Sequence, residues 1–467
     1  MTLASFMDTI WDGDIVPTLA DYIHIPNKSP MFDPNWQAHG HMDKAVALFE
    51  AWARAKITRL PGATLEVVRS KGRTPLLLIE VPGTAAGTVL LYGHLDKQPE
   101  MKGWSEGTSA WTPVLKNGRL YGRGGADDGY AMFAALSALL ALHEQGTAHA
   151  RAVIVIEAGE ESGSPDLPFY IDQLAARIGE PDLVVCLDSG CGNYDQLWLT
   201  TSLRGIAAGN LTVRVLNEGV HSGDASGVVP SSFRILRQLL SRLEDEATGA
   251  LKLADFFVEI PADRLEQAEA VAHIMGKEIF TRLPFAGATK AMAATPAEAI
   301  LNRSWKPQLA VIGLDGYPLP KDAGNVLLPY TTAMLSIRTP PTCDAEKAVA
   351  VLKRVLEADP PYGAAVRFEA LAGQTGWNAP TLAPWLAASL DKASTAHFGR
   401  GAAFMGEGGS IPFMAQLGEK FPGTQFVVTG VLGPGSNAHG PNEFLDIPAA
   451  KKVSACIADV LKDHGAR

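Results

Sequence analysis

The sequence predicts an α/β fold, a main domain built on a sheet with helices on its faces, interrupted by a smaller inserted α+β domain. Three observations predict it. Short apolar runs bounded by Gly and Pro alternate with helix-spaced segments as far as about Leu187. The character changes near Arg204, where a half-exposed alternating strand, Gly209 to Val215, precedes a long amphipathic segment. After Gly376 the first style returns.

The elements follow in order. Asp8 to Ile23 and Asp43 to Ile57 carry apolar residues at helical spacing. Leu65 to Val68, Leu76 to Val81 and Thr88 to Tyr92 read as strands. A helix from Tyr130 to His143, a strand from Ala152 to Glu157, a helix from Leu167 to Ala176 and a strand from Leu183 to Leu187 complete the first part. In the insert, the helix Ser231 to Leu243 is followed by a helical region from Leu265 to Met275 and a strand from Gln308 to Ile312. A strand from Thr331 to Ile337, a helix from Asp344 to Leu356 and a strand from Ala365 to Glu369 close it, giving an antiparallel sheet covered on one face. The last part holds a helix from Leu382 to His397, a strand from Thr424 to Thr429 and a helix from Ala449 to Leu461. The domain boundaries read from this pattern are 1–204 and 376–467 for the main domain and 205–375 for the insert.

Composition excludes several classes. The chain has 467 residues, 47% of them hydrophobic and 19% charged, which fits neither a disordered chain nor a disulfide scaffold. Lys plus Arg is 40 against 50 Asp plus Glu, and no basic run occurs, so no nucleic-acid partner is expected. The longest apolar stretch, Ala131 to Leu142, falls short of the roughly 20 residues a spanning helix needs, so no membrane partner is expected. The N-terminus does not read as a signal peptide. Cys186, Cys191, Cys343 and Cys456 form no Cys-x-x-Cys pair and read as reduced, buried thiols of a cytoplasmic protein.

Five short motifs carry chemistry, each at a strand end or in a Gly-rich loop. They are Gly93-His94-Leu95-Asp96, Gly122-Arg-Gly-Gly-Ala-Asp127-Asp128, Gly159-Glu160-Glu161-Ser162-Gly163, Leu187-Asp188-Ser189-Gly190 and Asn437-Ala438-His439-Gly440. Imidazole with carboxylate oxygen suits zinc, cobalt or manganese, and carboxylate-rich sets hold two ions through a shared ligand. Taken singly each motif has a plainer reading: a loop histidine, a solvated Glu-Glu turn, or Asp128 capping the next helix. A dinucleotide loop, a phosphate-binding loop and a Gly-x-Ser-x-Gly nucleophile elbow are absent from the sequence.

In this order the five motifs resemble the M20 metallopeptidases, and within them the dipeptidase branch related to carnosinase and cytosolic non-specific dipeptidase. Val220-His221-Ser222-Gly223-Asp224, Asn302-Arg-Ser-Trp305-Lys-Pro307, Ser336-Ile-Arg338 and Gly406-Glu-Gly-Gly-Ser410-Ile-Pro412 extend the resemblance through the insert, from about Trp11 to the end. It implies a zinc-peptidase-like three-layer catalytic domain with an inserted α+β lid and dimerisation domain, and a homodimer. It implies two divalent metal ions, zinc with manganese or cobalt as alternatives. His94 and Asp188 would bind one ion, His439 and Glu161 the other, and Asp127 would bridge them, with a cis peptide bond following it. Asp96 would orient the His94 imidazole, and Glu160 would be the general base. His221 would stabilise the oxyanion from the partner subunit, Arg338 would clamp a substrate carboxylate, and Ser410 would line the same end of the substrate site.

The implied reaction is hydrolysis of the amide bond of a dipeptide or short peptide with a free C-terminal carboxylate. An N-acyl-amino-acid deacylase or carbamoylase is the alternative within the same chemistry, and a catalytically silent peptide-binding scaffold is the alternative outside it. The sequence departs from the branch at Gly406, where an Arg is usual, at Asp224-Ala-Ser-Gly227, and at Ala323-Gly324-Asn325. These positions concern specificity and not the metal ligands.

Overall fold

The computed structural model describes residues 1–467, apart from the side chain of Pro412, which lies outside the described residues. The chain divides into two compact units: residues 1–201, 379–405 and 416–467 form the first, and 202–378 with 406–415 form the second.

The first unit is built on a six-stranded sheet in the order Thr64–Val68, Leu76–Val81, Ala150–Glu157, Ala85–His94, Leu183–Cys186, Gln425–Val428. The last four strands are parallel, and the first two pair antiparallel at one edge. The inner strands are near-continuous Val/Ile/Leu runs because both of their faces are buried. Helix Ala131–Glu144 shows why its sequence is apolar all round, since every residue from Ala131 to Leu142 is buried. Leu136, Leu139 and Leu140 are fully excluded from water, and each such side chain contributes roughly 1.5–3 kcal/mol by burial. The C-terminal helix Ile447–Gly465 closes the same core.

Register puts the strand ends together. His94 stands opposite Glu157, and Tyr92 opposite Cys186, which in turn faces Val428. Because these strands run parallel, the loops after His94, Glu157, Cys186 and Val428 all leave the same edge, the place where α/β sheets collect functional groups.

The second unit carries a four-stranded antiparallel sheet in the order Gln308–Asp315, Tyr330–Thr339, Gly205–Arg214, Ala365–Gln374. Helices Ser232–Leu243 and Ala345–Glu357 pack on one face, burying Leu236, Leu239 and Leu352 against Leu211, Leu335 and Ile337. Ser231 and Asp344 cap the two helices by accepting the N–H of Arg234 and Lys347.

Three expectations differ from the structure. The segment Asp8 to Ile23 is not one helix: Leu3–Ile10 and Val16–Ile23 flank a wide π turn, Trp11–Ile15. Pro17 supplies no N–H and its ring crowds the carbonyl four residues back, so the chain widens there. Asp128 does not cap helix Ala131–Glu144, whose cap position is Tyr130 with no side-chain hydrogen bond. A hairpin, Val114–Lys116 with Arg119–Tyr121, turns on Asn117-Gly118, both at positive φ, in a stretch the helix and strand patterns passed over.

Candidate metal centre

Strand Ala85–His94 ends with its imidazole fully buried. Gly93 permits the approach that follows, because a Cβ there would meet Ala131 Cβ at 2.5 Å and Asp128 Oδ2 at 2.7 Å. Asp128 Oδ2 accepts the His94 N–H at 3.2 Å. The carboxylate therefore ties the strand end to the Gly-rich loop. The Asp127–Asp128 peptide bond is cis.

The His94 ring is oriented by a backbone group. Its Nδ1 lies 3.2 Å from the Asp96 carbonyl oxygen and 3.6 Å from Asp96 Oδ1. A carbonyl only accepts, so Nδ1 carries a proton, and loss of any proton from Nε2 would free its lone pair for a cation. The Asp96 carboxylate also acts on the next turn. Its Oδ1 accepts the Glu160 N–H at 3.1 Å and its Oδ2 the Glu161 N–H at 3.0 Å. It fixes the short turn on which both glutamates stand.

Two donor triads result, sharing Asp127: His94 with Asp127 and Asp188, and His439 with Asp127 and Glu161. His94 Nε2 lies 3.4 Å from Asp127 Oδ1 and 3.7 Å from Asp188 Oδ2. His439 Nε2 lies 3.0 Å from Asp127 Oδ2 and 3.4 Å from Glu161 Oε2. Two ligand atoms, each about 2.0–2.2 Å from one zinc-sized ion at the tetrahedral angle, stand roughly 3.3–3.6 Å apart. Among the described residues, buried His94 Nε2 and Glu161 Oε1 have no hydrogen-bond partner. Such orphaned acceptors inside a carboxylate cluster are what a cation would satisfy, so the donor set fits two divalent ions. Glu160 Oε2 is 4.0 Å from His94 Nε2 and belongs to neither triad.

The electrostatics agree. Burial and neighbouring carboxylates push Glu161 above the usual carboxylate range. Burial does the same to Glu160, joined by Asp188 and Glu157 and opposed by His94. Asp188 is raised by burial, against the pull of His94. Burial works to raise Asp127 too, but His439 and His94 outweigh it and hold this carboxyl low. The cluster is an excess of negative charge held out of water, and cations would relieve it.

Sequence reasoning missed Glu443. It is fully buried, and its Oε1 accepts N–H groups of Gly124, Ala126 and Asp127 at 3.0, 3.3 and 3.3 Å. Its Oε2 meets Arg123 Nη1 at 2.6 Å. Arg123 also donates from Nη2 to the Gly440 carbonyl and from Nε to that of Pro99. The pair thus clamps the loop of His439 to the loop of Asp127. Only its place four residues after His439 marked Glu443 in the sequence. Gln98 is a second such residue, donating to Glu161 Oε2 at 2.6 Å.

His221, Arg338 and Ser410 all lie in the second unit. Arg338 Nη1 donates to Ser410 Oγ at 3.1 Å, and Ser410 Oγ donates to the Arg204 carbonyl at 2.5 Å. His221 is exposed and not part of that group; its Nδ1 accepts the Gly223 N–H at 3.1 Å, which leaves the proton on Nε2. Gly406, the departure from the branch, has no room for a side chain, since a Cβ would stand 2.5 Å from Ser202 Oγ and 2.9 Å from Ser304 Cβ. Beside it Glu407 pairs with Arg303, Oε2 to Nη2 at 2.5 Å.

Comparison with known proteins gives a consistent result. The profile of peptidase family M20/M25/M40 matches residues 90–463. A cysteinylglycine-S-conjugate dipeptidase of Corynebacterium striatum is 26% identical over 97% of this chain and 99% of its own length. The Cys-Gly metallodipeptidase DUG1 of Saccharomyces cerevisiae is 28% identical over 77% of this chain and 76% of its own. The crystal structure of human carnosine dipeptidase 1 superposes with a TM-score of 0.77 at 21% identity, covering 100% of this chain and 99% of that one.

Proposed function

The chain belongs to peptidase family M20/M25/M40, and we propose that it hydrolyses the amide bond of dipeptides and short peptides with a free C-terminal carboxylate. The observation that carries this reading is the pair of His-carboxylate triads joined through Asp127. The names of the relatives, dipeptidases for Cys-Gly substrates, favour it over N-acyl hydrolysis.

His94 and Asp188 would hold one ion, His439 and Glu161 the other, and Asp127 would serve both. Two bound divalent ions supply polarisation of the amide carbonyl and an acidified water. Zinc is our assignment, with manganese or cobalt meeting the same donors. Glu160, in neither triad, takes the proton of the attacking water and delivers it to the leaving amine. Its raised pKa suits a group that must hold that proton between the two steps. Asp96 positions Glu160 through its backbone N–H. Arg338 holds the substrate carboxylate with Ser410 lining the same end of the site, and His221, protonated on Nε2, donates to the oxyanion across a homodimer. The domain boundaries proposed with this reading are 1–204, 205–375 and 376–467. Among the described residues no helix is long and apolar enough to cross a membrane, and the four cysteines are free and buried; a reducing, cytoplasmic setting is part of the proposal.

The test is Glu160→Gln. The purified variant is expected to keep both metals by elemental analysis and to lose turnover of a free dipeptide by roughly 100- to 10,000-fold. Hydrolysis at the native rate would reject the assignment.

A further inference from the structure

We propose that a cavity in the second unit receives the side chain of the substrate's C-terminal residue, so that dipeptides ending in a bulky apolar residue are preferred. The proposal rests on the dipeptidase reading above and specifies its substrate class. The cavity holds about 550 Å3, within the range of small-ligand sites and ample for a Leu or Phe side chain. Its apolar lining includes Phe280, Leu283, Phe285 and Met292, and Arg204 and Gln308 are among its polar lining.

Sheet register ties this cavity to the Arg338–Ser410 pair. Arg338 stands directly opposite Gln308 on one neighbouring strand and Ile206 on the other. Directly opposed residues of an antiparallel pair project from the same face, so Arg338 and the cavity-lining Gln308 leave the sheet together. Ile337, one residue earlier, points the other way into the core under the helices. Arg204 completes the link. Its carbonyl accepts from Ser410, its Nε donates to the Gly408 carbonyl at 3.2 Å, and the residue lines the cavity.

Charge and polarity specify the occupant. Among the described residues the buried Nη1 of Arg204 has no hydrogen-bond partner. Burial, then the neighbouring Arg338 and Arg303, pull the Arg204 pKa down to about 10. Glu407 is the carboxylate beside these three cations, and it is already paired with Arg303. The cluster therefore attracts an anion. Next to it Leu283, Phe285 and Met292 are 51%, 43% and 69% exposed, an apolar surface of the kind that marks a binding site. An α-carboxylate and its own side chain share one carbon, so a C-terminal residue fits a site in which an anion pocket adjoins an apolar one. Glycine would leave the cavity empty.

The test compares kcat/KM of the metal-loaded full-length enzyme for Ala-Gly, Ala-Leu and Ala-Phe, with oligomeric state followed by sedimentation. Ala-Leu and Ala-Phe are expected to exceed Ala-Gly by about tenfold or more. That ratio, which cancels any loss of folded enzyme, is expected to fall toward one in Phe285→Asp and in Met292→Asp. Turnover of Ala-Gly with no advantage for the bulky residues would overturn this proposal and leave the dipeptidase reading standing. No turnover of any of the three would overturn both. A ratio unmoved by both variants, with a change in oligomeric state, would assign the apolar wall to contact with a second copy of the chain and also overturn it.

Discussion

Removing Glu443 is expected to damage the protein twice, once in stability and once in metal affinity. In Glu443→Ala the Arg123 guanidinium, 1% exposed, loses its counter-ion, and the N–H groups of Gly124, Ala126 and Asp127 lose their common acceptor. Breaking one side of a buried ion pair costs about 3–5 kcal/mol. At an unfolding entropy of about 2.1 cal/mol/K per residue, a unit of this size shifts by roughly 1.7 °C per kcal/mol, so Tm of the metal-free protein is expected to fall by roughly 5 °C or more. The second effect follows from geometry, since Arg123 holds the Gly440 carbonyl next to His439 while Glu443 holds the Asp127 N–H. Loosening both loops separates two of the proposed ligands of one ion, and losses of this kind weaken metal binding by roughly 10- to 100-fold. Glu443→Gln keeps the shape, but its amide has one acceptor oxygen for two sets of donors, so an intermediate effect is expected. Thermal unfolding of the metal-free proteins and competition against a chelator measure the two effects. A metal-free Tm within about 1 °C of the native value, with unchanged metal affinity, would refute the clamp.

Two further predictions concern Asp96 and Glu157. Asp96→Asn offers one oxygen where the turn presents two N–H groups, so Glu160 and Glu161 lose their shared anchor; a fall in metal affinity of roughly 10- to 100-fold, with kcat reduced in the metal-saturated variant, is the expected outcome of chelator competition and steady-state assays. Burial, then the charge of Asp96, pushes Glu157 up to about 7, although Tyr92 and Ser164 donate to it. An acid raised on folding is neutral in both states below its unfolded pKa of about 4.3, and its ionisation progressively destabilises the fold as pH rises from there to 7. Glu157→Gln keeps an acceptor for both hydroxyls without the charge, so it is expected to be near neutral at pH 4 and stabilising by on the order of 3 kcal/mol at pH 8. Denaturant titrations at the two pH values check this, and a gain that does not grow with pH would contradict it.

The residues of the two triads could be singled out because each motif ends a hydrophobic strand or sits in a Gly-rich loop; the roles proposed for them and for Glu160 came from the resemblance carried by the five motifs in order. Most strands and helices were legible for a related reason: their periodicity of about two or 3.6 residues is written locally. The two strands around Asn117-Gly118 were too short to show a period, and the wide turn at Trp11–Ile15 follows from one missing N–H at Pro17.

By itself, then, the sequence determined which residue types stand at the strand ends and how polar each face is, since both are local properties of the chain. Only the tertiary structure decided that Asp96 grips the Glu160-Glu161 turn by its carboxylate and His94 by its carbonyl. It alone brought Glu443 320 residues along the chain to Arg123. It alone set Arg204 between the Arg338–Ser410 pair and an apolar cavity. Those relations depend on strand register and loop closure over long separations, and no local pattern of residues encodes which distant partner a buried polar group will find.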